Sequence, residues 1–445
     1  MAKEWAELTP DERRAERFAR WLNPQGLQFV SPEAEKGYRE RVTRFQRALT
    51  LQQPDRVPVI LPASNYPAYY SGTNLKTVMY DYGVMKDAWM KFLNDFEMDT
   101  FMPPALVPPG RALDALGYHL YKWPGHGLSD NFASYQAVED EYMMADEYDA
   151  LIEDPSDFWL HTYLPRVFDV FKPFRDVPPF TSLQEIDGPI SFFLPFGTPP
   201  VQEALRSMMA AGEEILKWIA VVGEVIGVSM AMGYPGVMGG IAFTPFDVLG
   251  DTIRGTQGIM KDMFQRPAKL KAAMERLLPL VLKASIKAVN GAGTPTLFIP
   301  LHKGADGFMS DKQYREFYWP TLKALLMGLV EEGIIPIPFA EGGYNSRLEI
   351  IKDELPKGAV CWYFDQTDMA EAKRVLGDQA CLMGNVPTSL MMTGTTQEVK
   401  DYCRNLIEVC GKGGGYVLAG GANLDEGNAD NMHAMWEAAQ EYGVY

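Results

Sequence analysis

The sequence predicts an α/β protein closed as a (β/α)8 TIM-type barrel, with an N-terminal helical arm and a loop-rich insertion. Two observations predict it. From Leu297 onward, short apolar runs alternate with capped helical stretches; runs that are apolar at successive positions are buried on both faces, as in a parallel sheet covered by helices. The chain is also 445 residues long and 47% hydrophobic, which excludes disorder and suits an α/β barrel, a fold that routinely exceeds ~150 residues as one unit.

The elements follow in order. Thr9-Pro10-Asp11-Glu12 is a capping box with proline at the first helical position, and Ser31-Pro32-Glu33 repeats the cap and proline. Residues 1–55 therefore read as a helical arm, and residues 56–445 as one barrel domain. Val57 to Leu61 (VPVIL) is the first buried strand. The insertion at about 110–200 is rich in Pro, Gly and aromatic residues and reads as long loops with short helices, a candidate lid. Helices return from Pro200. The uncharged run Val225 to Phe243 contains Pro235 and five glycines, so it reads as buried barrel backbone rather than a membrane span. Strands are predicted at 297–301, 334–340, 359–364, 380–383 and 416–419. Helices are predicted from the capping box at Ser310 to about Glu332, then near 346–354, 368–376, 396–411 and 429–441.

Composition narrows the function classes. The 41 Lys+Arg against 58 Asp+Glu give a net charge of −17 without a basic run, which argues against nucleic acid and against an anionic membrane surface. Cys361, Cys381, Cys403 and Cys410 contain no C-x-x-C unit and read as reduced thiols of a cytoplasmic protein. The start, MAKEWAELTPDERRAERF, is charged where a secretory signal would be apolar.

In a barrel the chemistry lies at the carboxyl ends of the strands. The residues that follow the C-terminal strands are His302, Glu341, Asp365, Gly384-Asn385 and Gly420-Gly421-Ala422-Asn423. Asp and Asn are also common helix caps, so it is their convergence that points to a site. His302, one of five histidines, is a candidate base or metal ligand. Asp306, four residues on, either orients the imidazole or is a loop acid. Glu341 precedes two glycines that admit close approach, and an unpaired acid at a buried strand end has a raised pKa suited to acid catalysis or metal ligation. Gly411 to Gly415 precedes a strand and reads as a turn, whereas Gly420-Gly421 is placed to offer amides to an anion. H-E-x-x-H, G-x-S-x-G and the kinase motifs are absent.

The stretch from Tyr363 to Met435 resembles the uroporphyrinogen decarboxylase superfamily: an Asp after a strand, the Leu-Gly helix end, the Gly-Asn-Val turn, the Gly-Thr-Thr-Gln-Glu-Val helix start and the Gly-rich strand. RVTRFQRALTLQQPDRVPV near the start is similar to the family's opening, and the resemblance covers 40–445, most vaguely at 110–240. It implies a β/α barrel. True decarboxylases of this family bind a poly-carboxylate porphyrinogen through arginines after the first strand. The matching stretch here, Pro62 to Tyr70, has no arginine, so an octa-acid has little to pair with.

The other branch implied by the resemblance is that of corrinoid-dependent methyltransferases. Several carry zinc on His-x-Cys and a distant Cys. Those positions fall here on Phe339 to Gly342 and near Ala422, without thiolates. His302 and Glu341, with Asp365, would then form a harder zinc site. No D-x-H-x-x-G corrinoid signature occurs, so the corrinoid is expected on a separate partner protein. The reading is a methyltransferase component taking methyl from a small methylated substrate, an aryl methyl ether for example, as in O-demethylase systems of anaerobic metabolism. Its catalytic residues are His302, Glu341 and Asp365, and its substrate-binding residues Asn65, Tyr66, Asp306, Asn385 and Asn423. The alternatives are a cofactor-independent decarboxylase of a small aromatic or pyrrolic acid and a non-catalytic binding member. Oligomeric state is not legible.

Overall fold

A computed structural model describes residues 4–445; the first three residues of the charged N-terminal stretch lie outside them. The described strands are β1 (Val59–Ile60), β2 (Tyr121–Pro124), β3 (Gly127–Leu128), β4 (Gln136–Ala137), β5 (Thr296–Leu301), β6 (Ile335–Ala340), β7 (Cys361–Phe364), β8 (Cys381–Val386) and β9 (Tyr416–Gly420). Six of them form one all-parallel sheet in the order β1-β9-β8-β7-β6-β5, curled into the wall of a TIM-type barrel. These six match the predicted runs to within a few residues.

The two remaining staves are irregular. Beyond β5, Gly239 N and Ala242 N donate to Thr296 O and Phe298 O, both at 3.0 Å. A Cβ on Gly239 would lie 2.5 Å from Thr294 O, so only glycine allows this approach. Next to β1, the segment 98–101 is tied by Val59 N to Asp99 Oδ2 (2.9 Å) and by Thr100 Oγ1 to Pro235 O (2.7 Å). The run 225–243, expected as barrel backbone throughout, is divided: its first seven residues end the helix Pro199–Ala231. Among the described residues no helix is long and apolar enough to cross a membrane.

Strand alternation separates two cores. Ile337, Cys361, Tyr363, Met383 and Ala419 belong to an interior cluster, whereas Ile299, Trp362, Phe364, Leu382 and Leu418 face the surrounding helices. The interior is closed at the N-terminal ends of the strands by the helices Pro10–Leu22 and Pro32–Leu49. Thr9 and Ser31 cap them as predicted, accepting from Glu12 N (3.2 Å) and Ala34 N (3.1 Å). Their apolar faces carry Trp21, Tyr38, Val42 and Phe45 into the interior cluster. Trp21 Nε1 donates to Gly236 O (3.0 Å) and Arg17 Nε to Glu332 O (2.8 Å), which sets them against the barrel floor.

The stretch expected as long loops with short helices holds such helices and, in addition, a small sheet ordered β3-β2-β4. Its segment 139–143 is fastened to residues 253–256: Met143 N donates to Ile253 O (2.8 Å), and the buried Arg254 guanidinium bonds Met143 O and Asp262.

Candidate functional site

The alternation that sets Phe339, Tyr363 and Met383 inside the barrel continues to Glu341 and Asp365, just past their strands, and to Asn385 near the end of β8. The same parity on β5 leads from Phe298 to His302. Four predicted residues thus share the carboxyl rim. Beneath them lies an aromatic floor, with Phe298 and Phe339 stacked at 5.7 Å, Phe339 and Tyr363 tilted against each other at 4.5 Å, and Tyr363 OH donating to Gly420 O (2.8 Å).

His302 is the hub. Its Nδ1 lies 2.6 Å from Asp251 Oδ2 and its Nε2 3.6 Å from Glu341 Oε2, with the Phe243 ring 5.8 Å away. Asp251 also pairs with Lys303 Nζ (3.1 Å). One helical turn earlier, Asp247 is fully buried and accepts from Lys303 N (3.1 Å), Tyr318 OH (2.6 Å) and Thr244 Oγ1 (3.0 Å). Thr244 caps Pro245–Asp247 through Asp247 N (3.0 Å), and the helical turn that follows, Val248–Ile253, carries Asp251 round to the imidazole. Gly250 leaves room for the Lys303 stem: a Cβ there would be 2.7 Å from Lys303 Cδ.

The electrostatics follow from this packing. Burial alone would lower the His302 pKa, but the Asp251 hydrogen bond and charge, with Asp247 and Glu341 behind them, raise it to about 9. The imidazole is therefore a cation at neutral pH, with an acidic proton on Nε2. Burial and then the Asp251 charge push Asp247 up to about 7. Glu341 is raised by burial and by Asp365 and Asp251, against the pull of His302. Asp365 is raised by burial, opposed by the Gly342 amide that donates to its Oδ2 (2.9 Å).

Asn385 and the other predicted residues make contacts away from His302. Asp306 does not touch the imidazole: it accepts from Ser346 N (3.1 Å) and Oγ (2.9 Å), and the role of orienting His302 belongs to Asp251. Buried Asn385 donates to Thr367 O (2.8 Å). Asn65 Nδ2 donates to Asp425 Oδ1 (3.0 Å), forming a separate polar pair at the ends of β1 and β9. Tyr66 packs in the core against Phe92 and Phe96, and Asn423 is exposed. The Gly421 amide, expected to face an anion, instead donates to Val386 O (2.7 Å). The four cysteines are free and buried. Asp247 and Asp251 escaped the strand-end search because they lie on a helical turn; an i,i+4 acid pair behind a Thr-Pro cap was the available signal.

The expected zinc does not fit these donors. Among the described residues no three His, Cys, Asp or Glu side chains are grouped to hold a metal ion. His302 and Glu341 offer two donors, and Asp251 is committed to Nδ1 and Lys303. Protein dialysed against a chelator should keep its thermal unfolding midpoint, and elemental analysis should find zinc well below one ion per chain. Stoichiometric zinc lost in His302→Ala would refute this assignment.

A family model described as Uroporphyrinogen decarboxylase (URO-D) matches residues 209–442. Curated uroporphyrinogen decarboxylases from Psychromonas ingrahamii and Shewanella loihica are 27% identical over 206 residues and 25% over 192. Those alignments cover 44% and 42% of this chain and 56% and 52% of the relatives, so the chain spans about half the length of the curated relatives it matches. A solved methyltransferase from Methanosarcina mazei superposes over 90% of this chain and 98% of its own, with a TM-score of 0.55 and 17% identity, a likeness of fold.

Proposed function

The chain belongs to the uroporphyrinogen decarboxylase (URO-D) family, and from that premise we propose that it is the methyl-donor-side enzyme of a multi-component methyltransferase. It takes a methyl group from a small methylated substrate and passes it to a corrinoid on a separate protein. The observation that carries this reading is His302, held through Nδ1 by Asp251 and presenting Nε2 at the rim over an aromatic floor. The arginine-free segment from Pro62 to Tyr70 speaks against porphyrinogen as the substrate. We read residues 56–445 as the barrel unit with its insertion, and 1–55 as the arm that closes its floor.

In this reading the methyl–heteroatom bond breaks with its electron pair left on the heteroatom. The partner's corrinoid supplies the nucleophile that receives the methyl carbon. His302 Nε2 delivers a proton to the leaving heteroatom, Asp251 holds the ring through Nδ1, and the floor of Phe298, Phe339 and Tyr363 seats an apolar body such as an aryl ring. Glu341, 3.6 Å from Nε2, returns the proton in this scheme. Mixing the chain with a reduced corrinoid protein and a panel of methoxyarenes, methylamines and methylthiols should give the methylated-corrinoid absorbance. Silence across the panel would count against the proposal. Decarboxylation of a small aromatic or pyrrolic acid is the second reading, favoured by the same His302 acid. It predicts carbon dioxide release without any corrinoid.

A pH test follows from the Asp251 contact. Because His302 is the acid, activity should hold to about pH 9 and fall above it. Asp251→Asn should move that falling limb toward the ordinary value of 6.5. The stability sign agrees: the folded value lies above the unfolded one, so the ion pair contributes fully below about 6.5 and fades as pH rises through about 9. An unmoved limb in Asp251→Asn would assign the acid elsewhere.

A further inference from the structure

The rim carries a second polar group on the side away from His302. With the two irregular staves included, β9 lies four staves from β5 in either direction, so the loop after β9 faces His302 across a mouth roughly 15 Å wide. There the bridge between Ala63 and Leu424 brings Asn65 beside Asp425. Asn65 N (3.3 Å) and Nδ2 (3.0 Å) both donate to Asp425 Oδ1, and Ser134 of the insertion adds a hydrogen bond. A carboxylate offers about four acceptor positions, so Asp425 can take a further donor. Asn65 is only 2% exposed, yet its Oδ1 has no partner. An acceptor buried this deeply needs a donor from outside the chain.

A tyrosine pair from the insertion roofs the gap between the two groups. Tyr121 on β2 and Tyr135 just before β4 meet edge to face at 5.7 Å. Burial chiefly raises both phenols; behind it the Asp251 charge acts on Tyr121 and the Asp425 charge on Tyr135, so the pair reaches from one side of the mouth to the other. Tyr69 OH donates to Phe132 O (3.4 Å) and Lys76 Nζ to Asp130 Oδ2 (2.7 Å), which holds this part of the insertion over the β1 side. On the His302 side, Ile241 and Phe243 are 49% and 37% exposed, apolar side chains left open beside the imidazole.

Charge selects what fills the gap. Among the described residues no Lys or Arg forms an ion pair with Asp365, Asp425 or Glu426, and Glu341 has only His302. Burial raises the Asp425 carboxyl, and only the neutral donors Asn65 and Ser134 oppose it. An anionic substituent would be repelled here, and a neutral hydroxyl would leave the carboxylate uncompensated. An ammonium group neutralises it through a charge-assisted hydrogen bond and is attracted by the Tyr135 ring as well.

We propose that Asp425, Asn65 and Tyr135 form a subsite for a protonated amine, so that the substrate of His302 is an aryl compound with a short aminoalkyl arm. Its reacting group lies at His302, its ring against Phe243 and Ile241, and its ammonium on Asp425 and the unpartnered Asn65 oxygen. The proposal rests on the methyl-transfer reading for the reacting end alone.

Isothermal titration calorimetry with 2-phenethylamine, 2-phenylethanol and phenylacetate at neutral pH tests it, since the three share a ring and an arm and differ in charge. The amine should bind at least ~10-fold tighter than the alcohol, and phenylacetate should bind most weakly. Asp425→Asn, which keeps the side-chain shape, should abolish the preference for the amine, and Tyr135→Leu should reduce it. Asp365→Asn removes one charge from the rim at β7 and should keep it. None of the probes carries a transferable methyl group and no corrinoid is present, so a failure of methyl transfer and a failure of this subsite are read separately. Equal affinities for amine and alcohol, a preference that survives Asp425→Asn, or no binding of phenethylamine at about 10 mM overturns the proposal.

Discussion

Replacing His302 with glutamine should lower methyl transfer by about 10²–10⁴-fold, the usual contribution of a positioned general acid. Glutamine retains a donor and an acceptor near Asp251 but cannot deliver the Nε2 proton. The loss should fall on kcat, with KM little changed, because the aromatic floor that seats the substrate is left in place. Steady-state kinetics with the reduced corrinoid protein measure both constants. A loss below about tenfold would remove His302 from the chemistry and leave Glu341 as the acid to test.

Asp99→Ala should destabilise the fold by about 3–5 kcal/mol, measured by urea denaturation. Asp99 is fully buried at the irregular stave beside β1. It pairs with Arg44 Nη1 (2.7 Å) and with Arg56 through two contacts (2.6 and 2.7 Å), and it accepts from Val59 N (2.9 Å). Alanine leaves two buried guanidinium groups without their shared carboxylate and strands a backbone donor. Asp149, exposed and paired with Lys269, supplies the control: its alanine variant should change stability by less than about 1 kcal/mol. Similar costs for the two variants would mean that the Asp99 cluster holds nothing together.

How far the sequence was legible depended on whether a feature is local. The C-terminal strands were visible because each is an apolar run bounded by turn and cap signals; the caps at Ser310 and Thr395 close as capping boxes in the structure. The staves at 98–101 and 239–242 were not, since one is held mainly by side chains and the other is glycine-rich. The rim shows the same division. His302, Glu341, Asp365 and Asn385 end strands and could be read off in order. The carboxylate that governs His302 lies 51 residues away in sequence, and no periodicity links the two. Asp306 was favoured by its nearness along the chain, but its loop turns it toward Ser346.

The helical pair that floors the barrel precedes in sequence the strands it closes, and it can be seated only after they are made. Arg17 bonds a carbonyl 315 residues downstream, and β1 pairs with residues Leu418 and Ala419 near the other end of the chain. Contacts of such long sequence separation carry the loop-closure cost that slows folding. During synthesis, Trp21, Tyr38 and Phe45 emerge long before the strands that will cover them, so their apolar faces stay open to water until Ile337, Met383 and Val417 follow, the kind of exposed surface that makes partly folded chains prone to aggregate.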